Sequence, residues 1–208
     1  PTIGAFLTTG TPRMKITPVS RRIGQPALQG QNIYELYWMI ETFKANNVKT
    51  YLEIGSRYGK VFDTIVRDAE IERAVSVDLP GGAWGRKGSE KELSDAVKRL
   101  RGSGIDVHLF LGDSTDPEII AAVGALGPFD AIFIDGDHRY EGVRADWENY
   151  GSLGHIVGFH DIAGDGKGES AKPKVECGKL WREIKDGFYH EECIEPNRMM
   201  GIGLLWTS

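Results

Sequence analysis

The feature that most constrains the fold of this chain is a regular alternation of short apolar runs with segments of helical periodicity. The apolar runs have the length of buried strands, and between them apolar residues recur at the spacings of a helix face. Strands that alternate with helices pair in parallel through right-handed crossovers, so the pattern predicts an α/β fold with an open, doubly wound, Rossmann-like sheet. The predicted strands are residues 50–54, 74–77, 107–111, 131–134 and 156–159, and the helices between them are 61–69, 90–100, 116–126 and 143–150.

Both ends of the chain depart from this alternation. Residues 1–30 carry scattered proline and glycine with no sustained period, which predicts an irregular N-terminal arm, and a helix is expected over 31–46. After the fifth strand a helix is expected over 175–185, followed by strands over 188–194 and 201–206. The prediction is a seven-stranded, mostly parallel sheet that ends in an antiparallel hairpin, with residues 31–208 as a single domain.

Charge and composition narrow the classes of partner. The net charge of -5 offers no basic surplus to neutralise phosphates, so we expect no nucleic-acid partner. No apolar run approaches the ~18 residues that a membrane span needs, so we expect no membrane partner. The two cysteines, Cys177 and Cys193, lack metal-site spacing and are interpreted as reduced thiols of a cytoplasmic protein. The sequence leaves the oligomeric state open.

The end of the first predicted strand has the composition of a ligand-binding turn. Glu53 lies inside the strand end, and Gly55 begins a Gly-x-x-x-Gly segment that contains Ser56 and closes at Gly59. Glycines let the backbone turn tightly and approach a ligand, and a carboxylate can accept hydrogen bonds from an ammonium group. A simple connection between strand and helix is the alternative for a motif this short.

Acidic residues at the next two strand ends favour the ligand-binding interpretation. Asp78 ends the second strand, where an acid can hold both hydroxyls of a ribose. Asp113 follows the third strand and can accept a hydrogen bond from an adenine amino group. Ser114 beside it is a second candidate contact, although either residue could instead cap the following helix.

These motifs in this order resemble the class I S-adenosylmethionine-dependent methyltransferases. Within that superfamily the later segments are similar to small-molecule O-methyltransferases whose relatives act on sugars, antibiotics and other hydroxyl-bearing metabolites. The segments that carry the resemblance are Glu53-x-Gly55-x-x-x-Gly59, Asp78, Gly112-Asp113-Ser114, residues 129–138, Tyr140, residues 158–161 and residues 178–184.

The resemblance implies a function and a set of cofactor contacts. It implies methyl transfer from S-adenosylmethionine to a hydroxyl of a small molecule, by a methyltransferase domain that spans residues 31–208. Glu53 and Gly55 would line the methionine part of the cofactor, and Ser56 and Gly59 in the same turn would also contact the cofactor. Asp78 would contact the ribose, and Asp113 with Ser114 would contact the adenine.

Candidate catalytic residues follow the fourth and fifth strands. Asp135, Asp137 and His138 follow the fourth strand, and His160 and Asp161 follow the fifth, so all five are expected at one opening. A hydroxyl acceptor must lose its proton, which a histidine base or a divalent metal can accomplish.

Both routes to deprotonation stay open from the sequence. The resemblance suggests a metal site at Asp135, His160 and Asp161, because related O-methyltransferases have acidic or amide residues at these positions. In this chain the first residue of the pair His160-Asp161 is a histidine. This weakens the case for Mg²⁺ and strengthens the case for a histidine as the general base. The alternatives are that His138 caps the next helix and that His160 hydrogen-bonds at the sheet rim.

Two other functions are weighed against this one. A nicotinamide enzyme shares the fold and the ribose acid, but its Gly-x-Gly-x-x-Gly is absent, because Gly55 is followed by three other residues before Gly59. A regulatory protein that binds a nucleoside cofactor without catalysis would keep the fold, but the acids and histidines at the strand ends argue against it.

Overall fold

A computed structural model describes residues 31–82, 84, 89–164, 174–195 and 200–207. The predicted N-terminal arm, residues 1–30, lies outside this part of the chain and stays a prediction.

The described residues form a seven-stranded sheet with helices on both faces, as predicted. The strands are β1 (Thr50–Ile54), β2 (Arg73–Asp78), β3 (Asp106–Leu111), β4 (Phe129–Ile134), β5 (Gly154–His160), β6 (Tyr189–Cys193) and β7 (Ile202–Trp206). Their order in the sheet is β3-β2-β1-β4-β5-β7-β6. The first five strands are parallel, whereas β7 runs antiparallel to both β5 and β6. Strand order reverses between β1 and β4, and such a switch point leaves a crevice at the carboxyl ends of the strands.

Helices cover the two faces of the sheet. They are α1 (Ile33–Ala45), α2 (Lys60–Asp68), α3 (Ser89–Gly102), α4 (Pro117–Gly124), α5 (Tyr140–Tyr150) and α6 (Cys177–Ile184). Helix α1 begins where the side chain of Asn32 accepts a hydrogen bond from the Tyr34 amide, and α4 begins where Asp116 does the same for Glu118. Both are N-caps of the favoured residue types, and Pro117 fits the first turn of α4.

Two apolar clusters, one on each face, make up the core. One contains Met39, Phe43, Tyr51 and Phe62, and the other contains Ile132, Phe159 and Trp181. The central strands are buried along nearly their whole length, which explains why they appear in the sequence as short continuous apolar runs. No helix among the described residues is long and apolar enough to cross a membrane.

Candidate active site

A cavity of about 810 Å³ opens at the carboxyl ends of the parallel strands. Its wall includes residues at or directly after the ends of β1 to β5. All of the predicted catalytic residues line it, and so do most of the predicted cofactor contacts. Those lining residues are Gly55, Ser56, Asp78, Asp113, Ser114, Asp135, His138, His160 and Asp161.

The turn after β1 needs its glycines for steric reasons. Gly55 has a φ of +93°, and a Cβ atom there would lie 2.3 Å from the carbonyl oxygen of Asp135. Gly59 has a φ of +75°, and a Cβ atom would lie 2.9 Å from Leu93. Positive φ favours glycine. The close approach at Gly55 also brings the loops after β1 and β4 together, so that both border the cavity.

Glu53 lies under this turn rather than on the cavity wall. Its side chain is 1% exposed and accepts a hydrogen bond of 2.6 Å from the Tyr51 hydroxyl. Burial raises the pKa of Glu53 to about 8, although hydrogen bonds from Tyr51 and Ser56 oppose the rise. A carboxyl group poised in this way would ionise if a cation came close to it.

Asp78 is fixed at the end of β2 by the loop after β1. Its Oδ1 atom accepts a hydrogen bond of 2.7 Å from the Arg57 backbone amide, and its side chain borders the cavity. Burial raises its pKa, and the hydrogen bond and charge of Arg57 lower it in turn. The carboxylate therefore lies at the strand end for which the sequence predicts a ribose contact.

The loop after β3 contains the N-cap residue of helix α4. Neither Asp113 nor Ser114 caps α4, because Asp116 does so. Asp113 instead accepts hydrogen bonds from both the backbone amide and the hydroxyl of Thr115, and these bonds lower its pKa. Both candidates border the cavity, which leaves them available to a ligand.

The fourth and fifth strands bring two acids and two histidines into contact. The Nδ1 atom of His138 lies 2.7 Å from Oδ2 of Asp161, and its Nε2 atom lies 3.5 Å from Oδ1 of Asp135. The same Asp135 oxygen lies 2.9 Å from Nδ1 of His160. His138 therefore does not cap α5, whose N-cap residue is Arg139.

His160 is the most deeply placed member of this cluster. Burial by itself lowers its pKa, but the carboxylates of Asp135 and Asp161 outweigh that effect and raise it to about 9. Its Nδ1 atom is ion-paired with Asp135 at 2.9 Å, whereas its Nε2 atom has no polar partner among the described residues. A buried ring nitrogen without a partner is costly unless a ligand engages it.

Asp161 has an unusual backbone conformation next to this histidine. Its φ is +58°, a region that non-glycine residues seldom occupy. Burial raises its pKa, but His160 and His138 overcome this and leave the pKa below its ordinary value. The conformation turns its carboxylate toward both histidines, as the distances of 2.7 Å and 3.5 Å show. Such local strain is frequent at functional sites.

Three further residues contact the site, and two of them, Gln31 and Asp146, were missed in the sequence. Gln31 is buried and donates a hydrogen bond of 2.7 Å to Asp135. Trp84 packs on His138 with ring centroids 4.6 Å apart. Asp146 accepts a hydrogen bond of 2.6 Å from Ser114. The sequence pattern predicts only the start of a helix at Gln31, and the helical pattern around Asp146 gives no sign that its acid faces inward.

Three side chains of the cluster have the arrangement of a metal site. One ligand atom from each of Asp135, His138 and His160 can be chosen so that all lie within 4.8 Å of one another. This set has His138 where the sequence suggested Asp161. The difference arises because the Asp161 carboxylate pairs with Nδ1 of His138, on the side of the ring away from Nε2.

The fold and the site together define the class of protein. A sheet with this strand order and an acid at the end of β2 form the arrangement expected of class I methyltransferases. The model of a family described as a methyltransferase domain matches residues 52–162, more than half of the 208 residues. The chain belongs to this family, and the resemblance stated from its motifs is confirmed.

Solved structures with the same fold include enzymes with different names. An O-methyltransferase from Bacillus cereus in complex with SAH shares 14% identity over 85% of this chain and 82% of its own, with a TM-score of 0.63. TomG from Streptomyces achromogenes, an O-methyltransferase of tomaymycin synthesis in complex with SAM, shares 16% identity over 85% and 81%, with a TM-score of 0.60.

A third solved structure with this fold is not named as an O-methyltransferase. The methyltransferase domain of bacterial CtHen1 shares 14% identity over 82% of this chain and 96% of its own, with a TM-score of 0.55. No match is found among curated protein sequences. Because differently named methyltransferases share this fold, the fold does not identify the methyl acceptor, which has to be argued from the site.

Proposed function

We propose that this protein transfers the methyl group of S-adenosylmethionine to a hydroxyl group of a small molecule. The observation that carries the proposal is the cluster of Asp135, His138, His160 and Asp161 beside the cavity. Methyl transfer needs an in-line approach to a good leaving group, and an alcohol acceptor additionally needs its proton removed. The cluster offers residues suited to that removal.

The donor would lie across the ends of β1, β2 and β3. Glu53 under the turn after β1 would attract the ammonium group, because its raised pKa falls when a cation approaches. Asp78 would hold the ribose hydroxyls, and Asp113 with Ser114 would meet the adenine. The Bacillus cereus and Streptomyces achromogenes structures, which contain SAH and SAM, support this choice of donor.

His138 is the residue that we propose as the general base. Its Nδ1 atom can donate to the Asp161 carboxylate, which leaves the Nε2 lone pair free to accept the acceptor's proton. Asp161 then fixes the ring and stabilises the imidazolium that forms, as the acid does in other histidine-acid pairs. Asp135, 3.5 Å from Nε2, would add to that stabilisation.

A divalent metal is the second way to activate the hydroxyl. Asp135, His138 and His160 would hold it, and the unpartnered Nε2 atom of His160 fits such a role. When bound, the metal would lower the pKa of the acceptor hydroxyl. Two imidazoles and one carboxylate suit Zn²⁺, Fe²⁺ or Ni²⁺ better than Mg²⁺.

A small acceptor is favoured by the charge of the site. Among the described residues, the cavity wall carries more acids than basic groups, so it would repel a polyphosphate backbone. The net charge of -5 points the same way. Trp84, packed on His138, offers an apolar surface against which a sugar ring or the ring of a natural-product scaffold could lie.

The test is a methyl-transfer assay with labelled S-adenosylmethionine and a panel of sugars and phenolic compounds, run with added Mg²⁺, added Zn²⁺ or a chelator. We expect transfer to at least one hydroxyl compound, and we expect Asp135→Asn to reduce it by a factor of about 10² or more. Activity that survives the chelator would favour His138 as the base. Transfer to nitrogen or sulfur acceptors alone would contradict O-methylation.

A further inference from the structure

Asp146 is a buried acid that the proposed chemistry does not use. It lies in the second turn of α5, is 1% exposed and borders the cavity. Its Oδ1 atom lies 2.6 Å from the hydroxyl oxygen of Ser114. An ionised carboxylate can only accept hydrogen bonds, so the proton of this bond must be the proton of the Ser114 hydroxyl.

This bond determines what Ser114 can offer to a ligand. A serine hydroxyl has one proton and two lone pairs, and here the proton points to Asp146. The Ser114 carbonyl oxygen accepts a hydrogen bond of 2.6 Å from Tyr150, so the residue is also held from its backbone. Toward the cavity, the hydroxyl oxygen can act only as an acceptor.

We propose that Asp146, acting through Ser114, makes the donor pocket select an amino-substituted purine over an oxo-substituted one. Asp146 is in this sense a positioning residue. The inference rests on the proposed function, because it requires S-adenosylmethionine as the donor.

The strand order supports a purine near Ser114. Asp78 ends β2, where we place the ribose, and β3 is the next strand outward in the sheet. The loop after β3 contains Ser114, so a base attached to that ribose extends toward it. Adenine has an amino group where hypoxanthine has a carbonyl oxygen. The amino group can donate to Ser114, whereas the carbonyl oxygen would face an acceptor and leave both without a partner.

The experiment compares S-adenosylhomocysteine with S-inosylhomocysteine, in which a carbonyl oxygen replaces the amino group and the neighbouring N1 changes from an acceptor to an N–H donor. Calorimetric titrations are run well above pH 7, because burial raises the pKa of Asp146 to about 7 and the carboxylate must be ionised. We expect the wild-type protein to bind the adenosyl compound at least about tenfold more tightly.

The variants test the role of the Ser114 proton. Asp146→Asn can donate to the Ser114 oxygen and free the hydroxyl proton, so the preference should fall to a few-fold or less. Ser114→Ala should also reduce the preference, which makes it the second test if Asp146→Asn fails to fold. Adding Asp146→Asn to Ser114→Ala should then change nothing further, since Asp146 acts through that hydroxyl. A contribution of Asp113 to the preference would remain in all of these variants.

The outcomes separate this inference from the proposed function. If neither compound binds the wild-type protein, the proposed donor is wrong and the inference is wrong with it. If the adenosyl compound binds and the preference is the same in the wild-type protein and both single variants, the donor stands and only the role of Asp146 is overturned.

Discussion

The imidazole of His138 is tied to Asp161, with Nδ1 of the ring 2.7 Å from Oδ2 of the carboxylate. This pair joins the loop after β4 to the end of β5 and leaves Nε2 on the side of Asp135. Whether Nε2 takes a proton or binds a metal, Asp161 fixes the ring orientation that either role needs.

Asp161→Asn should therefore impair the reaction but not donor binding. We expect kcat to fall by a factor of about 10² or more, because the amide cannot stabilise an imidazolium. The affinity for S-adenosylhomocysteine should change less than about threefold, since Asp161 lies away from the ends of β1 to β3. Steady-state kinetics and calorimetry measure the two quantities, with the surface variant Asp186→Asn as control. An unchanged kcat would remove the pair from the mechanism.

Gln31 should support turnover by orienting Asp135 in the same cluster. It donates a hydrogen bond to Asp135, and its own carbonyl oxygen is buried without a partner among the described residues. Gln31→Met keeps the length of the side chain and removes both polar atoms. We expect turnover to fall about 10- to 100-fold, as for other residues that orient a catalytic acid or ligand. Gln31→Glu, which sets a second acid against Asp135, should reduce turnover further, and equal activity in all three proteins would contradict this role.

The raised pKa of Glu53 predicts a pH dependence of stability. The folded protein holds a proton on Glu53 up to a pH of about 8, whereas the unfolded chain loses it near 4.5. The folded state thus binds more protons in that window, so the free energy of unfolding should fall as pH rises from 4.5 to about 8.

Glu53→Gln should abolish this part of the decline, which at about 1.4 kcal/mol per pKa unit amounts to a few kcal/mol. Urea unfolding at several pH values across the window measures it, with Glu41→Gln on the surface of α1 as control. An identical pH slope in wild type and Glu53→Gln would show that Glu53 titrates normally.

Gly55 should tolerate no side chain. Gly55→Ala combines a positive φ with a Cβ atom 2.3 Å from a backbone oxygen, so we expect a loss of more than about 3 kcal/mol in the free energy of unfolding. Gly104 provides the matched control, since its φ is +86° but nothing lies within 4 Å of a Cβ placed there. Gly104→Ala should cost only about 1–2 kcal/mol. Equal losses would show that the contact with the loop after β4 relaxes freely.

The sheet could be predicted from the sequence because its central strands are buried on both faces. Each such strand appears as an apolar run whatever its neighbours are, and β1 was predicted with its observed bounds, Thr50–Ile54. The ends of other elements were less certain. For example, β5 begins at Gly154, two residues before the predicted start, because strand ends carry weaker apolar signals.

The site was predictable where chemistry follows a strand end directly. Asp78, Asp135 and His160 could be found in this way, and the structure places them around one cavity. The contacts of Gln31 and Asp146 could not be found, because Gln31 is 104 positions from Asp135 and Asp146 is 32 positions from Ser114. Contacts of that sequence separation depend on how helices pack on the sheet, and no local pattern encodes them.

The most direct test of the central claim is a calorimetric titration of the protein with S-adenosylhomocysteine and, separately, with NAD, using Asp78→Ala as control. The account predicts micromolar binding of S-adenosylhomocysteine that is lost or greatly weakened in Asp78→Ala, and no comparable binding of NAD. Binding of NAD without binding of S-adenosylhomocysteine would contradict the proposed methyl donor.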